Sequence, residues 1–371
     1  MSRLKLLILG AGGWGRNYVR AALKQEASWD VVGFADVDPK VHRTLMEENH
    51  VPENKIFTDA SKALDSLKPD AVTCSIPNPQ RFPILMKALE EGIHIIVDKP
   101  VVHTIVQLKE LLKAHKNSKA VFSVAENYRL FPQSKFIHDT ISKGSLGKLG
   151  QISVRFAKNT KFMGNKFYGQ LEGWKAVGLE DVIHYVDLFR YFAETNPTEL
   201  FSWAWRHSWN YGRGYMSIQA NLKFANGAHA SYYGTWDVPV NLTPWEGEWL
   251  LEFQNGAIIW NRIEGKVEVF DNQGHRVALG PAGFGAEKPR ESLEAQSEDT
   301  IDIISETSMD EVFNAFTSAV TSGGDVYCPL EENACTMAAA LALEKSCELN
   351  RPVTFADYLN SEGLSGLVST A

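Results

Sequence analysis

The stretch that most constrains this chain is a short apolar run closed by spaced glycines. Leu6 to Leu9 lead into Gly10, Gly12 and Gly15 at the spacing G-x-G-x-x-G, and Asn17 to Lys24 continue in a helix-compatible pattern. A buried strand turning this tightly into a helix is a phosphate cradle. The first glycine permits the turn, the second lets backbone amides approach a pyrophosphate, and the third lets helix and strand pack closely. The helix start supplies unpaired N–H groups for the phosphate oxygens. A second apolar segment, Val31 to Ala35, ends at Asp36, about 20 residues on, where a carboxylate accepts from ribose hydroxyls. Gly10, Gly12, Gly13, Trp14, Gly15 and Asp36 are therefore the expected dinucleotide contacts. A carboxylate repels a 2′-phosphate and no arginine directly follows Asp36, so NAD is the expected cofactor.

Strand and helix signals alternate from Lys5 to about Ala125, which implies a doubly wound parallel sheet, an α/β Rossmann domain over residues 1–124. Pro39 opens a helix to about Glu48, Lys55 to Phe57 is a short strand, and a helix runs through Leu67. Ala71 to Ile76 is a strand ending at Pro77-Asn78, Arg81 to Glu91 a helix, and His94 to Val97 a strand ending in Asp98-Lys99-Pro100. Thr104 to Lys116 and Val121 to Ala125 complete the alternation. Ligands of such sheets sit beyond the carboxyl ends of the strands, where the glycine turn, Pro77-Asn78 and Asp98-Lys99-Pro100 all fall. Pro100 restricts Lys99 to extended angles, which aims its ammonium reproducibly.

From Gln151 the rhythm changes. Ile152–Ala157, Leu200–Arg206, Met216–Phe224, His229–Trp236, Trp249–Phe253, Ala257–Ile263 and Val267–Phe270 are rich in aromatic and β-branched residues. Ala225-Asn226-Gly227 and Gln254-Asn255-Gly256 favour hairpins between neighbours. This predicts an α+β domain over 125–371 with a large, mainly antiparallel, open-faced sheet. One helix, Leu179 to Ala193, interrupts the strands. Leu179, Val182, Ile183, Val186 and Phe189 make its apolar face, and Glu180, His184, Asp187 and Tyr191 a polar stripe at helical spacing. Arg155, Lys158 and Lys161 alternate imperfectly along a strand, facing substrate or solvent. Arg206, Trp209, Tyr211 and Trp236 are candidate sugar contacts. Pro281 to Thr300 is polar and reads as a loop or lid, Met309–Thr321 and Leu330–Glu348 as helices, and the tail beyond Asp357 as loosely ordered.

With 371 residues and a net charge of −8, the chain has room for two cores and no general nucleic-acid or anionic-membrane surface. The start is too short in apolar residues for a signal peptide, and no stretch approaches a membrane span. Four cysteines without C-x-x-C spacing predict reduced thiols, a cytoplasmic protein and no metal site.

Gly10-x-Gly12-x-x-Gly15, Asp36, Pro77-Asn78, Asp98-Lys99-Pro100 and the helix with His184 and Asp187 together resemble the glucose–fructose oxidoreductase, inositol dehydrogenase and MocA (Gfo/Idh/MocA) family. The family's Glu-Lys-Pro appears here with Asp98 first. Arg81 stands where a histidine is common, and Val182 where a glycine is. The resemblance implies an NAD-dependent dehydrogenase acting on a secondary hydroxyl of a sugar or cyclitol. It assigns catalysis to Lys99, His184 and Glu180, the carboxylate four residues before the histidine. It adds Pro77, Asn78 and Lys99 to the cofactor contacts, and names Lys99, Tyr128, Arg129, Glu180, His184 and Asp187 as substrate contacts. It also implies a homodimer or homotetramer formed through the open sheet face. Two other functions share the fold. A redox-neutral glycosidase with tightly bound NAD needs the same lysine and histidine; an NAD-responsive regulator of the galactose-regulon repressor type needs neither.

Overall fold

The computed structural model describes residues 3–78, 80–161, 170–260, 266–282 and 298–370. The chain forms two compact units. The first comprises Met1–Asn127 and Ser305–Asn333, the second Tyr128–Ile304 and Ala334–Ala371. A single cut at 124/125 therefore misses a return of the chain to the first unit.

The first unit is built on six parallel strands: β1 (Leu4–Leu9), β2 (Trp29–Ala35), β3 (Ile56–Phe57), β4 (Ala71–Cys74), β5 (His94–Asp98) and β6 (Phe122–Ala125). Their order is β3-β2-β1-β4-β5-β6, the doubly wound Rossmann order with its switch point between β1 and β4. Leu6, Leu7, Ile8 and Leu9 are wholly buried, as a strand covered on both faces requires. The returning segment belongs to the helix Glu298–Ser322, and it covers the start of β2. Trp29 stacks on Phe316 at 6.0 Å, tilts against Phe313 at 6.2 Å, and donates its indole N–H to the Thr317 hydroxyl at 2.9 Å. Arg20 and Lys24 both pair with Asp310.

The second unit holds a nine-stranded sheet: β7 (Leu149–Ala157), β8 (Pro197–Trp205), β9 (Ser217–Phe224), β10 (His229–Thr235), β11 (Glu248–Phe253), β12 (Gly256–Trp260), β13 (Lys266–Asp271), β14 (Arg276–Ala282) and β15 (Val353–Thr354). The order is β14-β13-β12-β11-β7-β10-β9-β8-β15, and every pair is antiparallel except β7 with β10. Along β9, Ile218, Ala220, Leu222 and Phe224 are buried while Gln219, Asn221 and Lys223 are exposed. That alternation is the mark of a sheet with one covered face and one open face. One of the covering elements is the helix Val182–Ala193, of which every residue but Tyr191 is buried. Its Tyr185, Phe189 and Phe192 pack on Trp249, which in turn stacks on Trp260 at 5.4 Å.

Three expectations are corrected. The helix drawn from Leu179 to Ala193 is two pieces, Val177–Glu180 and Val182–Ala193, because Asp181 adopts φ −126°, ψ −57° between them. The tail keeps regular structure beyond Asp357: the helix Phe355–Ser361, which buries Phe355, Tyr358 and Leu359, runs past it, and a 3₁₀ helix follows over Ser365–Thr370. These apolar residues sit at helical spacing, a signal overlooked in so short a stretch. Of the Pro281–Thr300 loop, residues 283–297 lie outside the described residues; its two ends belong to β14 and to the helix Glu298–Ser322. Residues 261–263, expected to end a strand, also lie outside them. Among the described residues no helix is long and apolar enough to cross a membrane.

Replacing Trp29 removes a buried side chain that joins segments almost 300 residues apart in sequence. Trp29→Ala is expected to destabilise the first unit by about 3–5 kcal/mol, read as a lower midpoint in urea unfolding.

Candidate active site

In the first unit the predicted residues gather at the carboxyl ends of β1, β2, β4 and β5. Gly10 takes φ +79°, and a Cβ there would lie 2.7 Å from the Ser75 carbonyl oxygen. A Cβ on Gly15 would run into the carbonyl oxygen of Gly10. Only glycine fits either position, and the space they leave is a backbone-lined cradle. Gly13 follows at φ +47°, while Trp14 gives its carbonyl to the Asn17 amide at 3.1 Å. Asp36, at the end of β2, accepts from the amides of Ala11 at 2.9 Å and Gly12 at 3.1 Å through Oδ2, and from Asp38 through Oδ1. The carboxylate is thus fixed against the glycine turn. Pro77 is exposed; Asn78 is buried, donates to the Pro100 carbonyl at 3.1 Å, and among the described residues its Oδ1 meets no donor. Cradle, anchored carboxylate and unmet amide oxygen fit a dinucleotide.

Lys99 extends from a turn that is held unusually firmly. Arg81, 5% exposed, donates to three main-chain carbonyls: Ile76 at 2.7 Å, Asp98 at 2.8 Å and Pro100 at 2.5 Å. The side chain of Asp98 accepts from the Tyr18 hydroxyl at 2.7 Å and from the Ser75 hydroxyl. Burial raises the Asp98 carboxyl above its ordinary range, opposed first by Arg81. The Lys99–Pro100 peptide is cis. Arg81 is therefore the brace of the lysine turn, a role invisible in sequence because its partners are carbonyls that only the fold assembles.

In the second unit, Tyr128, Arg129, His184 and Asp187 form one cluster. The His184 ring lies flat on Tyr128, centroids 4.0 Å apart and 4° from parallel. Arg129 grips Asp187 with two hydrogen bonds of 2.6 Å, and its guanidinium lies 5.4 Å over the Tyr191 ring. Asp187 also accepts from Thr336 at 2.8 Å, whose oxygen accepts from Arg190 at 2.7 Å. The polar stripe His184–Asp187–Tyr191 thus faces the segment that begins at Tyr128. Glu180 is buried at the end of the preceding helical piece. Asp181, which sequence reasoning passed over, is buried and accepts from the Tyr232 hydroxyl at 2.7 Å.

Of the three basic residues on and beyond β7, Arg155 is half-exposed and 3.6 Å from Glu248, and Lys161 is exposed. Lys158 is only 2% exposed, its ammonium 5.4 Å over the Trp245 ring. Burial pulls it down from 10.5 to about 8, against the attraction of Glu246, itself buried and raised by that burial.

With this geometry in place, the comparisons with known proteins decide the family. Residues 4–126 match the model described as the oxidoreductase family's NAD-binding Rossmann fold, and residues 135–259 match the GFO/IDH/MocA C-terminal domain. The chain belongs to the Gfo/Idh/MocA oxidoreductase family. A protein of Sinorhizobium fredii, y4oX, is 25% identical over 72% of this chain and 74% of its own length. An oxidoreductase from Agrobacterium radiobacter, solved with NAD+, L-tartaric acid and magnesium, superimposes with a TM-score of 0.81 at 17% identity, covering 96% of this chain and 99% of the other. Levoglucosan dehydrogenase, solved with NADH and levoglucosan, gives 0.76 at 17% identity, covering 95% and 100%. Within this Gfo/Idh/MocA chain residues 4–126 are the NAD-binding Rossmann fold, and the glycine cradle lies within them.

The buried lysine sets a pH test. A lysine whose pKa is depressed on folding binds fewer protons folded than unfolded between pH 8 and 10.5, so stability rises with pH in that window. Going down in pH the same stability is lost between 10.5 and 8, a cost of about 3 kcal/mol that is in place by pH 7. The double variant Lys158→Met, Glu246→Gln is expected to lack this rise when urea unfolding is followed from pH 7 to 10.5 beside the parent.

Proposed function

We propose that this chain is an NAD-dependent dehydrogenase that oxidises a secondary hydroxyl of a sugar or cyclitol, reversibly. The observation that carries this reading is the braced turn that presents Lys99 at the end of β5. It stands two strands, about 10 Å, from the glycine cradle on the same sheet edge. Likeness to the family, and to a solved levoglucosan dehydrogenase in particular, supports the substrate class.

Bound NAD supplies the hydride acceptor. Gly10, Gly12, Gly13, Trp14 and Gly15 would hold its pyrophosphate, Asp36 its adenosine ribose, and Pro77, Asn78 and Lys99 the other end. His184 takes the hydroxyl proton as general base, a task for which imidazole is the side chain most often used. Lys99 donates a hydrogen bond to the same oxygen and stabilises the negative charge that grows as the proton leaves. Glu180 orients the reacting sugar or the imidazole. Tyr128 keeps the His184 ring in one plane by stacking, and the Arg129–Asp187 pair fixes the wall on which both stand. The open sheet face, with Phe201, Trp203, Trp205 and Tyr233 on it, is where two copies would pair.

His184→Ala and Lys99→Ala are each expected to lower turnover by about 10²–10⁴-fold while NAD binding persists. The assay follows NADH absorbance across a panel of cyclitols, aldoses and glycosides. Near-normal turnover in either variant, or glycoside cleavage without net NADH, would overturn the assignment. Because Asp36 opposes a 2′-phosphate, NAD should exceed NADP by at least about tenfold in kcat/KM; equal use of both would remove Asp36 from the cofactor site.

A further inference from the structure

The chemistry above makes no use of Trp209, Tyr211 or their neighbours, yet the structure gathers them. The segment after β8 meets the residues that follow β10. Trp209 is 56% exposed and lies flat against His207, centroids 4.5 Å apart and 4° from parallel. Its indole N–H donates to the main-chain oxygen of Asp237 at 2.9 Å, so the exposed ring face is pinned beside that residue. Asp237 is 2% exposed, and among the described residues neither of its carboxylate oxygens meets a hydrogen-bond donor. The nearby Asn210 has its Nδ2 donating to Gly212 and Gly214, which fixes its amide, and its buried Oδ1 also meets no donor. Tyr211 shares a hydrogen bond with Thr160, which is anchored on the Trp236 carbonyl.

A buried carboxylate without donors is costly, and native proteins seldom leave one unless something else supplies the donors. The chemistry of that supplier is restricted. It must bring hydroxyl or amide hydrogens to two acceptors, which excludes a phosphate or carboxylate ligand. It must also offer a flat apolar face to a fixed indole. A metal ion is disfavoured, since the described residues contain no group of three or more His, Cys, Asp or Glu able to hold one. Hydroxyl donors on one edge and C–H groups on a face are the two features of a pyranose ring. Burial raises the Asp237 carboxyl, opposed by Lys161 and His207, in keeping with a group that lacks hydrogen-bond partners of its own.

We propose that Trp209, Asp237 and Asn210 form a subsite for a neutral sugar ring other than the one oxidised, so that the substrate is a glycoside or oligosaccharide rather than a free monosaccharide. Tyr232, whose hydroxyl reaches Asp181 at the start of the His184 helix, lies five residues before Asp237. That places the two within about 18 Å, a reach that serves a substrate longer than one ring. The subsite rests on the dehydrogenase reading only for the identity of the reacting end.

Two measurements separate the ideas. Calorimetric titration of maltose, cellobiose, trehalose and glucose, with NAD present, tests the subsite directly. At least one disaccharide is expected to bind about tenfold tighter than glucose, with that ratio collapsing toward one in Trp209→Ala and in Asp237→Asn. A ratio near one in the parent, or a ratio kept in both variants, would overturn the subsite. Both changes are modest for the fold, one at an exposed ring and one isosteric, and NAD affinity in the same titrations reports an intact protein. The second measurement is NADH production from the same sugars. Its absence throughout would defeat the dehydrogenase reading while leaving the binding ratio to decide the subsite.

Discussion

Each unit of this protein buries charge, and how that charge is met determines where the functional side chains stand. In the first unit a guanidinium is enclosed by carbonyls. Arg81 spends its donors on Ile76, Asp98 and Pro100, tying the end of β4 to the turn after β5. In the second, Arg129 and Asp187 close on each other with two short bonds, and Thr336 and Arg190 extend the chain of contacts. Removing one partner of such an arrangement strands the other without water, which is why it resists rearrangement. Lys99 and the Tyr128–His184 stack each project from one of these rigid supports.

The division of labour follows from what the two sheets are. A parallel sheet covered on both sides exposes only its strand ends, so its chemistry collects there. The mainly antiparallel sheet has one face covered by the Val182–Ala193 helix and one open. The residues assigned to it above come from that helix and from segments beyond the strand ends, such as Trp209 and Asp237. The helix is buried on nearly all sides, so His184 has little freedom except through the segment Tyr128 brings against it.

Much of this was legible in the sequence. The six strands of the first unit, the glycine turn and the mainly antiparallel second sheet all show in local pattern, because burial on one or both faces imprints a period on the chain. Of the polar stripe drawn through Glu180, His184, Asp187 and Tyr191, the last three share a face of one helix, while the break at Asp181 leaves Glu180 on the preceding piece. What escaped was long-range. Arg81 bonds to carbonyls, which carry no residue identity. The break at Asp181 is a backbone angle within an otherwise helical pattern. For Lys158 the imperfect alternation left substrate and solvent equally open; it lies beyond the end of β7, buried, with its ammonium over the Trp245 ring. Asp237 left no trace, since a carboxylate lacking partners looks the same in sequence as one that has them.

The first unit is not continuous in the chain. Trp29 finds Phe313, Phe316 and Thr317 only after β7 to β14 of the second unit have been made, and Asp310 reaches Arg20 and Lys24 from the same later segment. While the ribosome is still translating the second unit, the nucleotide-binding sheet must wait with an uncovered indole. Domains commonly form in the order of their synthesis; here a strand of the first unit is sealed only by a segment made after the second sheet's β7 to β14, so the order of synthesis and the order of closure differ.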